Sequence, residues 1–397
     1  MKKYYLITLI LLINGVYNSL VVSQTSNQKP LENALTLELK FGDENLPNEY
    51  LLVQPIALAV NDMGDIFVSD EKRIKVFDKA GKEKTLIGRS GQGPGEFSSN
   101  PRLWINPDGS ITATNTGGFN LYDKQYKFIE KKQTSSAQSK YMNIATSHGW
   151  MGISEEQFIP LSNKSTLIVG SGVESLRGKD PDILLYVYTE LLIEKPDTVI
   201  ELGFYRDTRF YQYKSAGISL YFKGELLWSM ESDKYLAFCH PDFDITQQNK
   251  TYQYAIHVVS LKDLNRRKIT LQYSPVEIPD SVKDSHFARF KALEEMSLTL
   301  YPPKKIIDMV KDTQYYPPLQ RVFADGGIVV ALTFQRNKKG EFVADIFDIV
   351  SGGYLRSAYF CDVPDVIKNG YAYRLYTPKD GYPVVEKYRI DPRVYGK

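Results

Sequence analysis

Two cysteines, four histidines and a net charge near zero leave this chain of 397 residues with few obvious chemical handles. Lys plus Arg number 49 against 47 Asp plus Glu, so no strong field draws the protein to nucleic acid or to an acidic lipid surface. Cys239 and Cys361 are too few for a disulfide framework. Each falls within a strand pattern, which points to buried free thiols, and a bridge between them stays open only in an oxidising compartment. No Gly-x-Ser-x-Gly elbow and no phosphate-loop signature occurs, which removes two common routes to hydrolysis and nucleotide binding.

No apolar run reaches the ~20 residues that a membrane span needs. The nearest approach is Tyr4 to Ile13, preceded by two lysines and followed by a mixed segment that ends in Val21-Val22-Ser23. This is the layout of a secretory signal, residues 1–23, cut near Ser23. A cysteine is missing there too, so lipid attachment at the cleavage site is excluded and the mature chain is expected to be secreted or periplasmic, with no stable membrane span. Residues 24–34 read as a polar linker, and one domain is expected over 35–397.

What the chain has in quantity is aromatic residues, with 28 Tyr and 19 Phe, which favour strands because flat rings pack well on a pleated surface. The clearest unit lies between Val53 and Ile87. An apolar run to Val60, the turn Asn61-Asp62-Met63-Gly64, Ile66 to Ser69, Arg73 to Phe77, the turn at Asp78 to Lys82, and Lys84 to Ile87 give four antiparallel strands without a helix. The order repeats from Arg102 to Lys131, with Ile66 and Ile111 spaced 45 residues apart. Longer, less regular units follow over Gln157 to Leu202, Glu225 to Gln272 and Leu319 to Phe360. The last unit, Asp365 to Ile390, holds three strands where the others hold four. The isolated alternating strand Leu35 to Phe41 fills that gap, and pairing the two ends would close a ring and remove its open edges. One helical interlude, about 283–312, interrupts the pattern: Phe287, Phe290, Leu293 and Met296 share a stripe, and Lys304 to Val310 suits a second short helix.

Three runs carry a resemblance: Asp62-x-x-Gly64-x-Ile66-Phe67-Val68-x-Asp70, then Arg73-Ile74-x-Val76-Phe77-Asp78, then Gly88-x-x-Gly91-Gln92-Gly93-Pro94-Gly95-Glu96-Phe97. They resemble the six-bladed β-propellers related to NHL repeats, most of all a secreted group from Bacteroidetes-type bacteria. The resemblance is specific over the first two units and weak between residues 133 and 270. It implies an all-β, six-bladed β-propeller, closed by the N-terminal strand and carrying the helical insert between blades four and five. It implies little about function, because propellers host unrelated activities.

A meander blade sends its first-to-second and third-to-fourth turns to one face, and its second-to-third and inter-blade links to the other. The short turns at 61–64, 78–81, 107–109, 123–126 and 349–353 all fall on one face. The long connections at 132–155, 170–182, 203–223, 240–253 and 273–316 all fall on the other, which is therefore the expected working surface. Within it Phe204 to Lys214 interleaves two arginines with five aromatics, residue types enriched at binding hot spots, although the same rings could tuck into the ring of blades. The candidate binding residues are Arg89, Arg206, Arg209, Tyr211, Tyr213 and His240. The glycines of 91–95 fit a tight blade crossing better than a phosphate cradle, since no helix start follows them.

Some six-bladed relatives are metal-dependent lyases or lactonases with ligands around the channel. Only His148, His240, His257 and His286 are available here, which argues against a three-histidine zinc site. Calcium needs only oxygens, and Asp62, Asp65, Asp70 and Asp108 have that look, although Asp in hairpin turns more often accepts from backbone N–H groups. The expectation is a binding or scaffolding module for a protein, peptide or glycan, with no cofactor and no nucleic acid partner. A calcium-type hydrolase or lyase at the channel is the alternative, and it would require carboxylates converging at the channel mouth.

Overall fold

The structure is a computed structural model that describes residues 21–24, 29–42, 46–133, 141–213, 216–248, 251–297, 302 and 304–397. The signal segment before residue 21 lies outside the described residues. Six antiparallel sheets follow one another along the chain, each adding strands outward from an inner first strand. Blades one and two are plain four-stranded meanders, 57–87 and 103–133. Blade five, 319–360, is equally regular, and blade six consists of Val366–Lys368, Tyr371–Tyr376 and Val384–Ile390. Leu35–Phe41 pairs antiparallel with Val384–Ile390 and supplies the sixth blade with its fourth strand, so the ring closes as expected.

The rest of the N-terminal chain also adds to outer strands. Leu31 bridges Ala358 at the edge of blade five, and Val21–Gln24 runs parallel to Arg266–Tyr273 of blade four. The segment expected to be a bare linker is therefore docked where it is described. A cut near Ser23 would remove most of that added blade-four strand.

One local device sets many of the turns. Asn61 Oδ1 accepts from the N–H groups of Met63 and Asp65 at 3.0 and 2.8 Å, and Gly64 takes the left-handed conformation the turn needs. Asp78, Asp123 and Asn337 each accept from the residues two and four positions on in the same way. Asp70, at the end of the second strand, accepts from Val53 and Gln54 N–H at 2.8 Å each and pairs with the fully buried Lys75 at 2.9 Å, which pins the chain leading into blade one. Asp65 accepts from Lys84 and Tyr126, and Asp62 pairs with Lys368 at 2.6 Å. Of these aspartates, Asp70 accepts from backbone N–H groups, whereas Asp62 and Asp65 take side-chain partners.

The core lies between blades. Phe41, Ile66, Val68, Phe77, Tyr373 and Val385 fill the seam from blade six to blade one, and Phe67, Val76, Phe97, Leu103 and Ile111 fill the next. Comparable clusters join blades three and four, four and five, and five and six.

Blades three and four depart from this plan. The second and third strands of blade three, Thr166–Ser175 and Leu185–Lys195, are ten and eleven residues long. The first of these runs on through 170–175, part of what the sequence pattern assigns to a loop at 170–182. A hairpin, Phe210–Tyr213 with Ala216–Ser219, grows from the same sheet, and Ile245–Gln248 adds to blade four. Helix α1, Met142–Ser147, lies in the link from blade two to blade three. The insert forms α2, Asp280–Ser297, and α3, Lys304–Asp312. Phe287, Phe290, Ile306 and Val310 pack on the blade-three hairpin through Tyr211, Ile218 and Phe222. The side chains of Leu293 and Met296 lie outside those described.

Candidate functional site

The long connections gather on one face, and they belong to blades three and four. They carry Phe204, Tyr221, Phe243, Ile245 and Tyr315, large apolar side chains that are all more than a third exposed.

The sequence-derived candidates separate here. Tyr211 and His240 are buried. Tyr211 fills the satellite core under the helical insert, because alternate residues of the hairpin must face that core. Tyr213 is half-buried against the same cluster. Arg89 stands in the link from blade one to blade two and pairs with Glu96 at 2.7 Å. Glu96 also accepts from Gly93 N–H at 2.8 Å, and a Cβ on Gly91 would collide with its carboxylate, so the glycine-rich loop folds around a carboxylate of its own. A Cβ on Gly88 would lie 2.4 Å from the Phe97 ring, which accounts for the tight crossing.

Arg206 and His240 meet through aromatic rings. The Arg206 guanidinium sits 4.6 Å over Tyr186 and 6.0 Å over Phe243, while His240 lies 4.6 Å from Phe243 and stacks on Tyr205 at 5.5 Å. His240 Nδ1 accepts from Asp242 N–H at 3.2 Å, and burial pushes the imidazole down to about 4. Its backbone N–H donates to Asp244, whose other oxygen takes the His257 Nε2 proton at 2.9 Å. That tautomer is set by Arg266, which donates to His257 Nδ1 at 3.2 Å. Burial works to raise the Asp244 carboxyl, but these donors hold it below the ordinary carboxylate range. Asp242 accepts from Gly224 N–H and the Thr208 hydroxyl, tying the blade-three-to-four link to the segment 240–248. This network therefore fixes loops, and the exposed Phe243 is what it presents.

Arg209 remains at the surface. It pairs with Glu225 and lies 6.0 Å from the centre of the Tyr221 ring, which is 56% exposed. Arg289 of α2 donates to the Tyr221 hydroxyl at 2.7 Å, and His286 Nε2 accepts from Tyr221 N–H at 3.4 Å, so the insert braces this ring. Arg209, Tyr221, Glu225, Gln320 and Arg321 border a cavity of about 260 Å³ that opens on the long-loop face.

The channel itself is a different environment. Leu58, Leu103, Ile105, Trp228, Met230 and Phe323 are among the walls of a cavity of about 380 Å³. Its carboxylates among the described residues are Asp62 and Asp365, and Asp62 is paired. Beside it, Asp62, Glu231 and Asp325 border a cavity of about 450 Å³.

A further cluster escaped sequence reasoning. His148 Nε2 lies 2.7 Å from Glu201, and Glu190 stands beside them, the three ligand atoms all within 4.8 Å of one another. Among the described residues this is the one group of three or more such side chains with metal-binding spacing. Glu190 is fully buried with neither carboxylate oxygen hydrogen-bonded, and burial first, then the Glu201 charge, push it up to about 8. Trp150 and Phe204 flank the imidazole at 4.6 and 4.0 Å. Eleven residues of sequence separate the two glutamates, and only a register shift brings them together.

Residues 43–158, from the approach to blade one to the first strand of blade three, match the model of the family described as 6-bladed beta-propeller, DUF5128. No curated protein matches the chain. Three solved structures are similar at low identity. A protein of Bacteroides fragilis described as exported is 13% identical over 94% of this chain and 99% of its own, with a TM-score of 0.43. A gluconolactonase of Xanthomonas campestris is 8% identical over 86% and 87%, with a TM-score of 0.37. The WD40 domain of Pan2 from Neurospora crassa is 8% identical over 91% and 98%, with a TM-score of 0.39. No described helix is long and apolar enough to cross a membrane. The six sheets, their closure by the N-terminal strand and the family match over the first blades identify the chain as a six-bladed β-propeller.

Proposed function

We propose that this propeller is an exported binding or scaffolding module that recognises a protein, peptide or glycan through the long-loop face of blades three and four. The observation that carries the reading is the exposed Tyr221 ring, held between Arg209 and Arg289 at the rim of an open cavity. An immobilised aromatic beside guanidinium groups offers large contact area at small entropic cost, which is the composition of interface anchors. A cavity of about 260 Å³ suits one side chain or one sugar ring. Export rests on the N-terminal run described above, and the signal is expected to be removed near Ser23.

The test is a binding screen of the mature chain against a panel of peptides and oligosaccharides, repeated with Tyr221→Ala and Arg209→Ala. A ligand whose affinity falls at least tenfold in both variants supports the reading. Binding that both variants retain in full would place the working surface elsewhere.

A further inference from the structure

We infer that His148, Glu190 and Glu201 form a binding site for a divalent transition-metal ion of the zinc class. The inference does not depend on the loop-face ligand. It starts from strand geometry. Glu190 lies on Leu185–Lys195, directly opposite Phe204 of Thr198–Arg206. An unbroken register would then place Leu202 opposite Leu192 and turn Glu201 to the other side of the sheet. Instead the register slips between Leu191 and Leu192, so that Glu201 stands opposite Leu192. The bulge puts Glu201 on the same side as Glu190 and leaves Leu202 to join the seam with blade four, beside Leu191 and Ile193.

The third group comes from outside the sheet. Helix α1 and the residues after it cover this side of blade three through Tyr141, Ala145 and Trp150, which pack on Ile153, Ile168 and Leu192. His148 is the C-cap residue of that helix and points its Nε2 at Glu201. Trp150 stacks on Tyr188 at 4.9 Å and, with Phe204, makes an aromatic wall around the three ligand groups.

Glu190 is the independent sign of a missing partner. It is 0% exposed, and no hydrogen-bond donor reaches either of its carboxylate oxygens. A buried carboxyl group that gives up its proton needs a cation or a metal beside it. No lysine or arginine hydrogen-bonds to Glu190, and the ligand-type groups beside it are a second carboxylate and an imidazole. One divalent ion would neutralise both carboxylates at once.

The donor set narrows the ion. One imidazole nitrogen with two carboxylate oxygens suits zinc and its transition-metal neighbours, whereas calcium and magnesium take oxygen alone. Ligands at about 2.1 Å from a tetrahedral ion lie about 3.4 Å from each other, so the three groups, now within 4.8 Å of one another, need to close by up to about 1.4 Å. His148 and Glu201 side chains retain 18% and 32% exposure, which leaves the ion a solvent-facing position beyond its three protein ligands.

The experiment uses the mature chain, stripped with EDTA, dialysed and titrated with zinc by calorimetry. Cobalt replacement serves as a spectroscopic reporter. The expected result is one zinc per chain, a rise in melting temperature on loading, and a visible cobalt band. His148→Ala and Glu190→Gln should each weaken zinc binding at least tenfold and abolish the band, while both retain the wild-type far-UV dichroism. His148→Ala alters a partly exposed side chain and keeps the test valid should the buried variant misfold. Zinc that binds with unchanged affinity to His148→Ala, or fails to bind the wild type, overturns the proposal. So does a wild type silent to zinc with a Glu190→Gln variant that melts higher in EDTA, which would identify a carboxylate pair sharing a proton.

Discussion

Blades one and three are built on the same meander and put charge to opposite use. In blade one the enclosed ammonium is answered: Lys75 is fully buried, yet Asp70, Glu71 and the Leu51 carbonyl all accept from it. In blade three Glu190 is equally enclosed and faces a second carboxyl group, Glu201, instead of a cation. Blade one spends its polar groups on fixing its own chain, whereas blade three keeps ligand-type groups and exposed rings in reserve on lengthened strands. The comparison separates a frame of blades one, two, five and six from a working side of blades three and four.

The largest expected effect breaks the frame. Deleting Leu35–Phe41 opens the ring, strips blade six of its outer strand and removes Phe41 from the seam with Phe77 and Val385. The thermal midpoint should drop by more than about 10 °C or the transition should lose cooperativity, as read by scanning calorimetry. An unchanged midpoint would mean that closure contributes nothing.

Next comes the buried pair of blade one. Lys75→Met preserves the stem and removes the charge, leaving Asp70 enclosed with backbone donors only. Breaking such a pair costs about 3–5 kcal/mol, measurable by urea unfolding. The double variant with Asp70→Asn should recover part of that loss, which distinguishes an unpaired charge from simple misfit.

The pH dependence of stability sharpens the comparison from the other side. The folded chain holds His240 at about 4 against an ordinary 6.5, so between those values the unfolded chain takes up a proton that the folded chain refuses. Stability is therefore full above pH 6.5, declines as pH falls, and levels off below pH 4. The loss from this group is at most about 3 kcal/mol. His240→Asn, whose amide oxygen can accept from Asp242 N–H in place of Nδ1, should flatten that slope. A slope that persists unaltered would assign it to other groups.

The smallest effect on stability belongs to Arg209. Its pair with Glu225 is partly exposed, so Arg209→Ala should change unfolding by less than about 1 kcal/mol while weakening ligand binding tenfold. Equal losses in both would make Arg209 part of the frame.

Legibility in the sequence followed the same division. The frame declares itself through local chemistry: alternating strands, Asn or Asp turns with a glycine, and a solitary N-terminal strand matched to a blade with one too few. Leu35–Phe41, Arg73–Phe77, Tyr235–Cys239, Tyr371–Tyr376 and Val384–Ile390 form as their patterns predict. The working side is set by tertiary context. Ser171-Gly172-Val173 has loop-like composition yet lies within a strand, because its neighbour Leu185–Lys195 runs equally far. The aromatics of 210–213 suit either an exposed surface or a buried one, and the helical insert covers Tyr211. Cys361, expected inside a strand, falls just past Tyr354–Phe360 and is exposed, whereas Cys239 is buried and free. His148, Glu190 and Glu201 carry no motif, since a bulge and a helix cap bring them together and neither leaves a periodic trace.

The most direct test of the division between frame and working side is hydrogen exchange of the mature chain, read by mass spectrometry with and without the peptide or oligosaccharide that binds it most tightly. Protection should concentrate in 207–226 and 240–248, with little change at the short turns 61–65, 107–110 and 349–353. Protection centred on those short turns would contradict the account.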